Sequence, residues 1–254
     1  MPRPVQFVDL ETARATRGLR LVLAGGIPSP WSEAAKGIFA VKDVPFVAVR
    51  LLPTDKEVRS WARTRNAPVA LYDDEPGRTG WADILELAER IGPAPSLVPK
   101  KPRERVRMFG LAHEVVGEGD LAWNARLVTI ADGIETDGAR GFPPFVGKYL
   151  GARYGFEAAR VALARERVVE VLALLAEELG AGPFFFGEEL TALDVYSAAV
   201  VNVLDPLPDD VCPILPPIRH AFESMRAVLG ALPPALVAHR ERMYAQHLEW
   251  PIVT

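Results

Sequence analysis

Between residues 19 and 92 the spacing of apolar positions changes period again and again. LRLVLAGG is a short apolar run stopped by glycines, the mark of a buried strand, and SEAAKGIFAVKD behind it has helical spacing. VPFVAVRLL predicts a second strand and DKEVRSWARTR a second amphipathic segment. PVALYDDE predicts a third strand, and WADILELAERIG a helix closed by Gly92. Pro53, Pro76 and Gly92 fall where turns belong, and one short extra strand fits around Arg78–Thr79. This alternation is that of a small α/β domain. Ahead of it, VQFVDL can hold a short strand.

From residue 93 onward the pattern turns helical. GPAPSLVPKKPRE reads as a linker, because its prolines cannot continue a helix. RERVRMFGLAHEVVG, PFVGKYLGARYGFEAARVALARERVVEVLALLAEELG, PPIRHAFESMRAVLG and PPALVAHRERMYAQHL then carry apolar residues at helical spacing. The proline pairs 216–217 and 233–234 stand at helix starts, where a missing N–H costs nothing. The best-specified local signal is PFFFGEELTALDV, residues 183–195. Thr191 and Asp194 have the spacing of a capping box, and Leu190 and Val195 that of a hydrophobic staple. The run that follows, VYSAAVVNVL, is apolar on nearly every side, which predicts a central helix.

Composition narrows the classes. A chain of 254 residues is comfortable for two domains. Its formal charge of −4, from 29 basic and 33 acidic side chains, has no basic excess, so no nucleic-acid partner is expected. Cys212 is the only cysteine, which excludes an intrachain disulfide and a cysteine metal cluster, and its proline-rich turn suggests a packing role. The four histidines lack metal-ligand spacing, so no metal site is expected. No apolar run approaches membrane-spanning length and the first residues lack a secretory apolar core, so the expectation is a cytoplasmic protein without a membrane partner.

An α/β unit, a proline-rich linker and a helical unit with a Thr-x-x-Asp box together resemble the cytosolic glutathione transferase superfamily. The resemblance covers roughly residues 19–245 and is carried by three further segments. GIPSPWSEAAKGIF is similar to the loop and helix start that hold the reactive residue of that superfamily. Within it, Ser29-Pro30-Trp31 resembles the Ser-Pro-aromatic triplet of its serine-type classes. NAPVALYDD is similar to the turn that bears a cis proline, here Pro68, and AERIGPAPSLVP resembles the end of the third helix with its linker. The fold implied is a thioredoxin-like α/β domain at 19–92 followed by an all-α helical bundle at 103–250. Glutathione as cosubstrate, a small hydrophobic electrophile as second substrate and a homodimer are also implied.

The physics of these positions can be read residue by residue. Ser29 lies between a strand end and a helix start, where orphan amides and the helix dipole favour an anion. A hydroxyl donating one charge-assisted hydrogen bond there favours a thiolate over a thiol. The competing role for Ser29 is a plain helix cap with Pro30 behind it, and Ser32 is the alternative hydroxyl. A cis Pro68 turns the backbone of Ala67 outward, able to pair with an extended tripeptide; an ordinary trans proline opening an edge strand is the alternative. The superfamily usually places a Glu/Gln-Ser pair before its third helix, and Gly80-Trp81 stands there in this chain. Gly80 has no side chain and Trp81 only an indole donor. Asp73-Asp74-Glu75 could replace the lost acid, or form a solvated turn.

Trp31 and Trp81 are expected to border the site, Trp123 to be structural, and His113 to lie at the surface or in the core, with the cleft as the alternative. The cofactor-binding set is therefore Trp31, Ala67, Pro68, Gly80 and Trp81, with Ser29 catalytic. Two functions follow. One is a transferase that activates the glutathione thiol through Ser29; the other is a non-catalytic ligand-binding or interaction module of the same fold, in which Ser29 only caps.

Overall fold

A computed structural model describes residues 5–92 and 94–254. Pro93, part of the expected linker, and residues 1–4 lie outside the described residues. The first half alternates β1 (Gln6–Phe7), α1 (Leu10–Ala15), β2 (Leu19–Ala24), α2 (Pro30–Val41), β3 (Phe46–Leu51), α3 (Lys56–Ala62), β4 (Val69–Tyr72) and α4 (Trp81–Ile91). The second half is helical: α5 (Pro102–Val116), α6 (Leu121–Glu135), α7 (Pro144–Tyr154), α8 (Val161–Leu179), α9 (Ala192–Leu204), α10 (Pro216–Glu223), α11 (Met225–Leu229) and α12 (Pro234–Gln246). The architecture is thus a thioredoxin-like α/β unit followed by a helical unit, as the periodicity predicts.

The sheet has the order β1-β3-β2-β4, with β1, β3 and β2 parallel and β4 antiparallel to β2. Its edge strand β1 comes from VQFVDL. The extra strand expected near Arg78 shrinks to a single bridge, in which Ala70 and Arg78 exchange two backbone hydrogen bonds of 2.9 Å. The predicted helical run over 144–180 is broken where Gly155 takes a left-handed conformation, φ 63°, and closes α7. Gly92 does end α4, but not as a left-handed cap: its φ is −125°, and a Cβ there would stand 2.4 Å from Val44. Close packing, rather than turn geometry, demands glycine.

The two halves share one core. Leu21, Leu23, Ile38 and Phe39 of the α/β unit bury against the same cluster as Val195, Ala199 and Val200 of α9. Every residue of α9 is buried, which is why VYSAAVVNVL has no polar face. Gly37 lets α2 approach it: a Cβ at that position would lie 2.7 Å from Val195. A smaller cluster, with Val22, Val49, Val58 and Val69, fills the opposite face of the sheet under α1 and α3. The linker is pinned, since Leu97 is buried and its carbonyl accepts from the Ala192 amide at 2.9 Å.

A buried charge cluster ties both ends of the described chain to α2. Lys36 Nζ donates to Glu249 at 2.8 Å and lies 3.0 Å from Glu33, while Glu249 also accepts from the amides of Val5 and Val253. Burial pushes the Glu33 carboxyl from its ordinary 4.5 up to about 7, against the pull of Lys36. Between those two pH values the folded chain holds a proton that the unfolded chain has lost. This group therefore makes stability fall as pH rises from about 4.5 to about 7. Glu33→Gln removes the titration. Urea midpoints measured across that window should decline less steeply in the variant than in the parent chain; equal slopes would show that Glu33 does not titrate there.

Candidate functional site

The site begins at the junction of β2 and α2. β2 ends at Ala24, and GGIPS leads into a helix whose first residue is Pro30. Ser32 is fully committed to this corner: it is buried, and its Oγ accepts from the Ala24 amide at 3.0 Å. Ser29 is not. It occupies the N-cap position of α2, yet its hydroxyl makes no capping hydrogen bond, and no other protein partner takes it among the described residues. Pro30 brings no N–H to the helix start, so the amides of Trp31 and Ser32 and the positive end of the helix dipole face this hydroxyl's side. Of the two serines the sequence offers, only Ser29 has a hydroxyl to spare.

Ser29 lines a cleft of about 350 Å³ between the two halves. Trp31, Ala67 and Pro68 line it too, and the Ala67–Pro68 peptide is cis. The amide and carbonyl of Ala67 pair with no other main-chain group among the described residues. Trp31 is anchored as well as exposed to the cleft, because its indole donates to the Val116 carbonyl at 2.9 Å.

Trp81 sits differently. It lines a narrow apolar crevice beside the cleft, with Trp31 and Pro68, and its ring packs on Tyr196 (5.6 Å) and Phe109 (6.0 Å). Gly80 is the N-cap of α4 with no capping side chain, and a Cβ there would lie 2.7 Å from Asp83 Oδ2. Thr79, the residue before it, reaches both crevice and cleft. The acidic run is spent elsewhere: Asp73 accepts from the Gly18 amide, Asp74 pairs with Arg17, and Glu75 pairs with Arg90 and Arg78. Those hydrogen bonds, Arg90 first, hold the Glu75 carboxyl below its ordinary range. His113 is turned to Asp120, with Nδ1 2.7 Å from the carboxylate and its side chain largely exposed. Cys212 is buried, and that burial pushes its thiol up, which suits packing rather than nucleophilic work.

Residues 158–231 match the family model described as "Glutathione S-transferase, C-terminal domain". Solved structures extend the likeness over nearly the whole chain. A glutathione S-transferase from Methylobacterium radiotolerans, in complex with glutathione sulfonate, is 22% identical, with 91% of this chain and 92% of that one covered at a TM-score of 0.59. A β-etherase from Sphingobium sp. is 19% identical, with 89% and 99% covered and a TM-score of 0.58. A glutathione S-transferase domain-containing protein from Marinobacter aquaeolei is 18% identical, with 89% and 98% covered and a TM-score of 0.59. The fold is that of the glutathione transferases. A search of curated proteins found no match.

On this glutathione transferase fold the far wall of the cleft comes from α6 and α7, and sequence reasoning missed it. Trp123, expected to be structural, lines the cleft and packs on Tyr154 at a tilt of 59° with ring centroids 4.7 Å apart. Tyr154 in turn lies 6.1 Å from Trp31. Arg126, three residues after Trp123 and so on the same helical face, also lines the cleft. The signal was weak because α6 is buried on most sides and shows no polar stripe against which a special residue would stand out. Arg153 adds to this wall, Arg59 and Arg65 line the cleft from the α/β unit, and no acidic side chain lines the cleft among the described residues. No group of ligand-type side chains suited to a metal ion occurs among the described residues. No helix there is long and apolar enough to cross a membrane.

Proposed function

We propose that this protein is a glutathione-dependent transferase that binds the tripeptide between the α2 start and the Ala67–Pro68 turn and activates its thiol through Ser29. The observation that carries the reading is a hydroxyl left unused at a helix N-terminus, inside the cleft that also holds the unpaired backbone of Ala67. The Ala67 amide and carbonyl pair with the tripeptide main chain as an added strand. Ser29 Oγ–H donates to the sulfur, and with the α2 dipole stabilises thiolate over thiol. The thiolate then attacks an electrophilic carbon in the cleft. A carbon–sulfur bond forms, the leaving group departs with its bonding pair, and the thiol proton passes to solvent. Trp31, with Gly80 and Trp81 at the α4 start, frames the γ-glutamyl end; there the helix amides substitute for absent side chains. The chain works as a cytoplasmic homodimer in this reading.

One observation favours a second reading. Gly80 supplies no side chain at the α4 start, which leaves that subsite poorer in donors and suits a non-catalytic ligand-binding module. Titration calorimetry with glutathione separates the two: saturable binding at or below millimolar concentration supports the transferase, and no heat at millimolar ligand removes its cosubstrate. The β-etherase among the structural neighbours makes ethers a set of trial electrophiles, since ether cleavage by a thiolate is the same displacement with an alkoxide or aryloxide leaving group.

A further inference from the structure

Arg126 is 5% exposed and lines the cleft beside Ser29, Trp123 and Tyr154, yet its guanidinium makes no hydrogen bond or ion pair among the described residues. Its close company is aromatic, with Tyr154 from the cleft lining and Phe142 and Phe222 from the buried core. The guanidinium carbon lies 5.3 Å from the Phe142 ring centroid and 5.9 Å from those of Tyr154 and Phe222. The acids of α6 and its N-cap are committed to other cations: Asp132 to Arg140, Glu135 to Arg165, and Asp120 to Arg167. A guanidinium cannot shed its charge, and aromatic faces compensate only in part for lost water. A cation held this way is completed by an anion entering from the cleft.

We infer that the second substrate carries a carboxylate or sulfonate on a planar apolar body, with Arg126 holding the anion and Trp123 and Tyr154 holding the body. The inference rests on the transferase reading and replaces a purely hydrophobic electrophile with an acidic one. Arg126 is assigned to the second substrate rather than to glutathione because it stands on α6 one turn after Trp123, with the Tyr154 ring of α7 5.9 Å from its guanidinium, whereas the Ala67 turn belongs to the α/β unit. The other cleft arginines differ: Arg153 already donates to Tyr149, to the Arg65 carbonyl and to Asn66, and Arg59 to the Pro53 carbonyl. Among them only Arg126 combines near-complete burial with open donors.

The test compares calorimetric affinities of S-(para-carboxybenzyl)glutathione and S-benzylglutathione, with glutathione itself as reference. The carboxylate should improve binding by roughly tenfold or more, the scale of a hydrogen bond to a charged group. Arg126→Gln should abolish that preference and leave glutathione affinity unchanged; Arg126→Lys should retain part of it, which guards against a variant that folds poorly. Equal affinities in the parent chain, or a preference that survives Arg126→Gln, overturn the inference while the transferase reading stands. Loss of glutathione affinity itself in Arg126→Gln assigns the guanidinium to the tripeptide and also overturns it. If glutathione does not bind the parent chain, the transferase reading fails. The anion site is then judged alone by quenching of tryptophan fluorescence with naphthoate against its methyl ester, where equal quenching rejects it.

Discussion

Ser29→Ala should lower glutathione-dependent turnover by about tenfold to a thousandfold, the scale of losing one anion-stabilising donor in a sheltered site. Glutathione affinity should change far less, because the backbone of Ala67 carries most of the binding in the proposed arrangement. The pH profile should move upward, since without the Ser29 donor the bound thiol ionises less readily. Stopped-flow or ultraviolet titration of the bound thiolate reads that shift directly. Ser32→Ala is the control. Its Oγ accepts from the Ala24 amide, so the variant should lose stability without moving the thiol titration. A Ser29→Ala variant with unaltered turnover and pH profile would reduce Ser29 to a helix-start residue.

Asp194→Ala should destabilise the fold by about 3–5 kcal/mol, well above the ~1–2 kcal/mol of an ordinary lost cap. The capping box forms, and its tightest contacts are those of the acid: Asp194 Oδ2 accepts from the Thr191 amide at 2.8 Å and from the Thr191 hydroxyl at 3.0 Å. Its other oxygen accepts from the Phe185 amide at 3.0 Å and lies 3.0 Å from His239 Nε2 on α12. Both Asp194 and His239 are fully buried, so the truncation strands donors from three segments with no water to replace the acid. The melting temperature should drop by roughly 6–20 °C for a chain of this size. A double-mutant cycle with His239→Ala should show coupling, because the two side chains share one hydrogen bond. A loss confined to the range of a simple cap, with additive single mutants, would show that Asp194 acts on α9 alone.

Asp194 also shows how far local reading reaches. Thr191 and Asp194 are three residues apart, so backbone geometry alone brings them together, and the box is legible in the sequence by itself. His239 is 45 residues away, and nothing in PPALVAHRERMYAQHL marks it as that acid's partner. Gly92 gives the same lesson in reverse. The helix end is legible, but the need for glycine comes from Val44, a neighbour only in space.

The sequence by itself determined the order of elements, because alternation of apolar residues, proline and glycine stops and a capping box all act within a few residues of chain. It also determined the two candidate hydroxyls and the turn at Pro68, which are local features of one loop each. Tertiary structure decided the rest. It took Ser32 for the β2–α2 corner and left Ser29 free, withdrew Asp73, Asp74 and Glu75 into hydrogen bonds and ion pairs, and set Trp123, Arg126 and Tyr154 opposite Ser29. Those three residues of the far wall lie on helices whose buried faces look alike in sequence. Only the packing of α2 on α9, and of α6 beside α7, determines which side chains are spent on the core and which are left facing the cleft.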